Sequence, residues 1–173
     1  LIKDGFPLDF DKDFMKYRGV QLKGKTAGII GLGHIGSAIA EACKGIGMNV
    51  IYWSRSSTND NYTRVELKEL LANADVIFPT TLKNAETLSL ITDEDTKTIK
   101  ESAMLVDIAH GLFNQELVLD MVAKGKLYGY GFEGEPTEFG NPEGNVWCAP
   151  SYAWATAESM HNSVVLWIEN MLS

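Results

Sequence analysis

One short segment limits the folds open to this chain more than any other. Residues 26–33 read TAGIIGLG, a short apolar run ending in glycines, and Gly31-Leu32-Gly33-His34-Ile35-Gly36 leads directly into a helical pattern. An apolar run of this length suits a parallel strand buried on both faces. Ile35, Ala38, Ile39, Ala42 and Ile46 then recur at i, i+3, i+4, i+7 and i+11. That spacing predicts an amphipathic helix with these residues on its buried face, stopped by Gly45 and Gly47. In a strand–turn–helix unit the three glycines have separate tasks. Gly31 permits the tight turn, Gly33 lets a pyrophosphate reach the backbone, and Gly36 lets helix and sheet pack closely. The free N–H groups and dipole at the helix start favour an anion, with His34 and Ile35 in its first turn.

Strand and helix patterns keep alternating along the rest of the chain. MNVIYW (Met48 to Trp53), DVIF (Asp75 to Phe78), AMLVDI (Ala103 to Ile108) and LYGYGF are read as strands, and Asn145 to Cys148 as one more. Between them, helices are expected from Leu67 to Ala72, from Thr92 to Lys100 and from Asn114 to Ala123. Thr92 and Asp95 have the spacing of a capping box. A last helix runs from about Ala157 to Leu172, with Met160, Val164, Ile168 and Met171 as an apolar stripe. Such alternation predicts an α/β fold, a doubly wound parallel sheet of Rossmann type in a single domain. Residues 1–22 read as an irregular lead-in and 23–173 as the domain itself.

Charge and cysteine usage narrow the partners. With 15 basic and 23 acidic residues the formal net charge is -8, which disfavours nucleic acid and anionic membrane surfaces. No apolar run has the length of a membrane span, and no secretory leader is expected. Cys43 and Cys148 lack metal-ligand spacing, so no metal is expected, and both read as buried, reduced thiols of a cytoplasmic protein.

The residue closing the second strand selects between dinucleotides, because an acid there holds the ribose 2'-hydroxyl and repels a 2'-phosphate. Here VIYW is followed by Ser54-Arg55-Ser56, two hydroxyls around a guanidinium, and Asp60 lies too far along the loop to substitute. This favours NADP(H), with NAD(H) still possible. The missing acid also argues against a methyltransferase.

Four segments, in order, resemble the nucleotide-binding domain of the D-isomer-specific 2-hydroxyacid dehydrogenases. They are GKTAGIIGLGHIGSAIAEACKGIGMNVIYWSR, DVIFPTTLKNAETLSLI, AMLVDIAHG, and the stretch from ELVLDMVAKGKLYGYGFE to NVWCAP. The Ser-Arg ending is similar to that of NADPH-preferring glyoxylate and hydroxypyruvate reductases in that family. The resemblance implies hydride transfer between 2-oxo and 2-hydroxy acids, a homodimer, and a substrate domain separate from these residues. It also implies that Thr80, Thr81, Ile108 and Glu133 line the cofactor cleft, Glu133 standing where an aspartate contacts the carboxamide of the nicotinamide.

The catalytic positions implied by the resemblance are altered. His110 replaces the arginine that holds the substrate carboxylate, and an imidazole grips with one nitrogen where a guanidinium grips with two. Ser151, after Pro150, replaces the acid/base histidine, whose proton exchange a hydroxyl cannot match. Glu138 falls at the position of the glutamate that orients that histidine, and Asp107 replaces an asparagine. Without the separate substrate domain, whose walls would exclude water and orient a substrate, the chain alone is expected to be inactive. The competing expectation is a non-catalytic dinucleotide-binding module, acting as a sensor or interaction domain. His161 reads as a surface or packing residue, and Trp147, Trp154 and Trp167 as core or dimer interface.

Overall fold

The computed structural model describes residues 19–88, 90–109, 111–134, 142–152 and 154–172. Strand β1 (Thr26–Ile30) leads through the glycine turn into α1 (His34–Gly45) and back through β2 (Asn49–Trp53) and β3 (Thr63–Arg64). Next come α2 (Leu67–Asn73), β4 (Val76–Pro79), α3 (Asp93–Thr96), β5 (Met104–Asp107), α4 (Gln115–Ala123), β6 (Gly129–Glu133), β7 (Val146–Ala149) and α5 (Ala157–Leu172). The strands form one sheet in the order β3-β2-β1-β4-β5-β6-β7, every neighbouring pair parallel. The expected Rossmann-type fold is observed, with the short edge strand β3 added.

This order places the site. The chain starts at β1, winds outward to β3, and returns to β4 on the other flank of β1. All strands are parallel, so their carboxyl ends share one edge. There the turns after β1 and β4 lead away to opposite sides, leaving a crevice at the point where the winding reverses.

Both faces of the central strands are covered, which explains their unbroken apolar runs. Ala27 and Ile29 of β1 pack with Ala40 and Cys43 of α1 and with Val50 and Tyr52 of β2. Ile30 faces the opposite layer, with Leu70, Leu71, Ile77, Leu105, Val118 and Phe132. An added Cβ at Gly28 would lie 2.7 Å from Ala74 Cβ and 2.8 Å from Leu70 Cδ2, so α2 rests on bare backbone.

The buried face of α1 differs from the predicted one. Gly36, Ala40 and Cys43 are buried, whereas Ile35 and Ile46 are 60% and 55% exposed. A helix lying this close to a sheet admits its smallest residues at the contact, and of the three isoleucines only Ile39 packs against the core. Helix α3 is also shorter than expected, ending at Thr96, after which Thr98 and Ile99 donate to carbonyls three residues back. The Thr92–Asp95 capping box is present in both directions. Helix α5 forms where expected, but no residue of its apolar stripe is buried, and His161 is exposed. Trp147, Trp154 and Trp167 are exposed too, so none is core. Cys43 is buried and Cys148 only partly so, and the two are not joined in a disulfide. Burial pushes the Cys43 thiol above its ordinary range. Most of the lead-in, residues 1–18, lies outside the described residues.

Opposite the crevice, Asp75 ties β4 to its neighbours. Its carboxylate accepts from the Thr26 N–H at 2.8 Å and from Lys100 Nζ at 2.9 Å, with Lys25 Nζ at 3.8 Å. Partial burial alone would raise its pKa, but the Thr26 N–H, then Lys100 and Lys25, outweigh burial and hold the carboxyl below the ordinary range. A depressed folded pKa adds stability above the unfolded value, and that stability is lost as pH falls through the folded value. Asp75→Ala is expected to cost about 2 kcal/mol at neutral pH. In urea unfolding, the gap between wild type and variant should be full at pH 7 and narrow below about pH 4.

Candidate functional site

The phosphate turn is built around backbone contacts that only glycine allows. Gly31 has φ +98°, and a Cβ there would meet Thr81 Cγ2 at 2.7 Å. Gly36 is buried in the first turn of α1, where a Cβ would lie 2.0 Å from the Gly31 carbonyl oxygen and 2.7 Å from Thr80 Oγ1. Gly33 is different. It caps α1 in extended conformation, is exposed, and would offer a Cβ open space, with nothing within 4 Å. The described residues make no use of the space over Gly33, as expected if a ligand approaches the backbone there. Gly33 supplies no side-chain cap and no acid stands in the first turn of the helix, so its first N–H groups suit an anion from outside it.

A cleft of about 460 Å³ opens beside this turn, walled by Gly31 to Gly33, by Trp53 to Ser56 at the end of β2, and by residues of the loop after β4. A more open groove of about 890 Å³ lies on the other side of Leu32 and Gly33, along His34, Ser37, Glu41 and Tyr62. The smaller cleft holds most of the predicted cofactor residues. Arg55 and Ser56 are exposed at its rim. Ser54 is buried and has a structural task, its Oγ accepting from the Ser57 N–H at 3.1 Å while its carbonyl accepts from Arg64 Nη2 at 2.8 Å. The hydroxyl of Thr80 donates to the carbonyls of Ile30 and Gly31, binding β4 to the turn rather than facing the cleft as a free donor. Thr81, next to it, has a buried Oγ1 with no hydrogen-bond partner among the described residues.

The predicted residues of the other strands lie along the same carboxyl edge. Ile108, just past β5, and Glu133, the last residue of β6, are both half-buried, and Ser151 is exposed beyond β7. Asp107 is buried and accepts from the Ala109 N–H at 3.2 Å and the Tyr130 hydroxyl at 3.4 Å. Burial, reinforced by the Asp107 carboxylate, pushes the Tyr130 phenol well above its ordinary range, so it serves as a neutral donor. His110 and Glu138 lie outside the described residues.

Two side chains that the sequence did not single out complete this edge. Glu86, on the loop after β4, forms an ion pair with Arg55 across the cleft. Lys83 reaches the turn after β5, its Nζ 3.4 Å from where a Gly111 Cβ would stand. Neither pairing has a local sequence signal, because each joins loops that only the sheet brings together.

Together these features fit a dinucleotide. The helix start suits a pyrophosphate, Gly33 leaves room for it, the Thr81 hydroxyl lacks a partner among the described residues, and Arg55 stands where the second strand ends. Among the described residues no His, Cys, Asp and Glu cluster suits a metal ion, and no helix is long and apolar enough to cross a membrane.

Comparison with known proteins agrees with this geometry. Residues 9–153 match the model of the D-isomer specific 2-hydroxyacid dehydrogenase NAD-binding domain. A glyoxylate reductase of Thermococcus gammatolerans is 31% identical over 172 residues, covering 92% of this chain and 51% of the reductase. Among solved structures, an acyclic imino acid reductase in complex with NADPH and D-Arg superposes with a TM-score of 0.81 at 24% identity, over 94% of this chain and 57% of that one. The NAD complex of a D-isomer specific 2-hydroxyacid dehydrogenase from Lactobacillus delbrueckii ssp. bulgaricus gives 0.80 at 24% identity, over 95% and 57%. At these identities the two structures speak for the fold alone. The chain spans about half the length of the glyoxylate reductases it matches. With the domain model matched over most of its length and the phosphate turn formed as that fold requires, the chain belongs to the D-isomer-specific 2-hydroxyacid dehydrogenase family, as its NAD-binding domain.

Proposed function

We propose that this chain binds NADP(H) in preference to NAD(H) and forms the cofactor half of an oxidoreductase interconverting 2-oxo and 2-hydroxy acids. The observation that carries the cofactor preference is the guanidinium of Arg55 at the rim of the cleft, with Ser54 and Ser56 beside it and no acid closing β2. A guanidinium donates to a phosphate in bidentate fashion and keeps its charge at all working pH values. Arg55→Asp is expected to weaken NADPH by about a hundredfold and NADH by no more than about threefold, read by calorimetry. Equal losses for the two cofactors would remove Arg55 from the 2' position. Thr81 is assigned to the cofactor as a hydroxyl donor, and Ile108 and Glu133 to its nicotinamide end.

When bound, the dinucleotide supplies the hydride; the residues of this chain position it and shape the substrate's surroundings. His110 is assigned to the substrate carboxylate, with the side chain of Lys83, which reaches Gly111, as a second partner for it. Glu138 is assigned to orienting the acid/base group. Ser151 cannot replace an imidazole in that role, so the proton must come from His110 or from a substrate domain outside these residues, which would also exclude water. Supplied with such a domain, the protein should oxidise NADPH when given glyoxylate or hydroxypyruvate. Cofactor binding without turnover would favour the non-catalytic module instead.

We further propose a homodimer, supported by the exposed apolar side chains of Trp147, Trp154 and α5, and a cytoplasmic location, supported by two cysteines that are not joined in a disulfide.

A further inference from the structure

We propose that Glu86 is a specificity-determining residue of the cofactor cleft, its carboxylate competing with a 2'-phosphate for Arg55 and serving a free ribose 2'-hydroxyl instead. This rests on the reading that Arg55 meets the 2' position of the adenosine ribose.

An acid that selects against a 2'-phosphate is expected at the end of the second strand, and there the chain has Ser54-Arg55-Ser56. The fold brings one from elsewhere. Glu86 lies 31 residues beyond Arg55, yet its Oε2 accepts from Arg55 Nη1, and both residues line the same 460 Å³ cleft. The two side chains are 62% and 71% exposed, so a ligand entering the cleft meets the pair directly.

The loop that carries Glu86 is internally tied. Asn84 Oδ1 accepts from the N–H groups of Glu86 and Thr87, at 3.0 and 2.9 Å, while Thr87 Oγ1 accepts from the Asn84 N–H at 2.8 Å. The buried Thr87 hydroxyl also donates to the Leu82 carbonyl at 2.7 Å, tying the turn to the earlier part of the loop after β4. These bonds fix the Glu86 backbone on the wall facing Arg55.

The chemistry of the pair follows from charge. Hydrogen bonding and attraction from Arg55 keep the Glu86 carboxyl below its ordinary range, so it is ionised at any pH where the protein works. A 2'-phosphate must take Arg55 donors from Glu86 while standing close to its negative charge. A neutral 2'-hydroxyl meets no such repulsion and can donate to the carboxylate. Arg55 and Glu86 therefore act oppositely, and the modest NADP(H) preference is the balance between them.

Glu86→Gln removes the charge and keeps shape and hydrogen-bonding reach. Titrated with NADPH and NADH, this variant is expected to bind NADPH about fivefold tighter than wild type and NADH no tighter. Arg55→Ala, measured alongside, should lose NADPH selectively. If Glu86→Gln leaves NADPH binding unchanged or weakens it while Arg55→Ala still loses NADPH selectively, the competition is wrong and the Arg55 reading survives. If Arg55→Ala weakens both cofactors equally, the Arg55 reading fails and takes the role of Glu86 with it. Both side chains are on the surface, so matching thermal melts are expected, and they separate binding effects from misfolding.

Discussion

Replacing Gly33 with valine is expected to weaken dinucleotide binding by at least about a hundredfold while leaving the domain folded. The two halves of this expectation come from one feature of the geometry, that a Cβ added at Gly33 would meet nothing within 4 Å among the described residues beyond its chain neighbours. Its backbone is extended, with φ -84° and ψ -162°, a conformation open to any residue. The loss of a good helix cap should cost the fold no more than about 1 kcal/mol. A branched side chain would fill the space through which a pyrophosphate reaches the free N–H groups of α1. Calorimetric titration and a thermal melt check the two halves separately. A variant that folds and binds like wild type would remove the phosphate turn from the site.

Gly36→Ala is expected to do the reverse, damaging the fold first. Its Cβ would have to stand 2.0 Å from the Gly31 carbonyl oxygen, a backbone atom that cannot move without displacing the turn. The expected cost is about 3 kcal/mol, or a fall in melting temperature of about 10 °C. Adding Thr80→Ala should recover little, because it relieves only the second contact, at 2.7 Å from Thr80 Oγ1. A near-normal melting temperature for Gly36→Ala would contradict the close packing of helix on turn. Two glycines three residues apart thus separate cleanly, one kept for a ligand and one for the protein.

What the sequence revealed was what depends on near neighbours. The strand, turn and helix around Gly31 are contiguous, and the Thr92–Asp95 box lies within one turn, so both were legible. Periodicity identified α1 as a helix but chose Ile35, Ala38, Ile39, Ala42 and Ile46 as the buried face, of which Ile39 alone packs against the core, beside the buried Gly36, Ala40 and Cys43. Size and hydrophobicity do not report how close two elements approach. The stripe on α5 was legible as a helix signal, whereas its exposure depends on what surrounds it. Ser54 and Thr80 line the cleft, but their hydroxyls bind the protein's own backbone, which residue type alone does not show. Glu86 was invisible because its partnership with Arg55 spans two loops joined only through the order β2-β1-β4.

The central claim, that the crevice between the turns after β1 and β4 is a dinucleotide site, is tested most directly by parallel calorimetric titration of the chain with NADPH and NADH. One site per chain for each cofactor, with NADPH tighter by up to about tenfold, is the expected result. The absence of heat with both cofactors, from a chain whose thermal melt shows it folded, would contradict it.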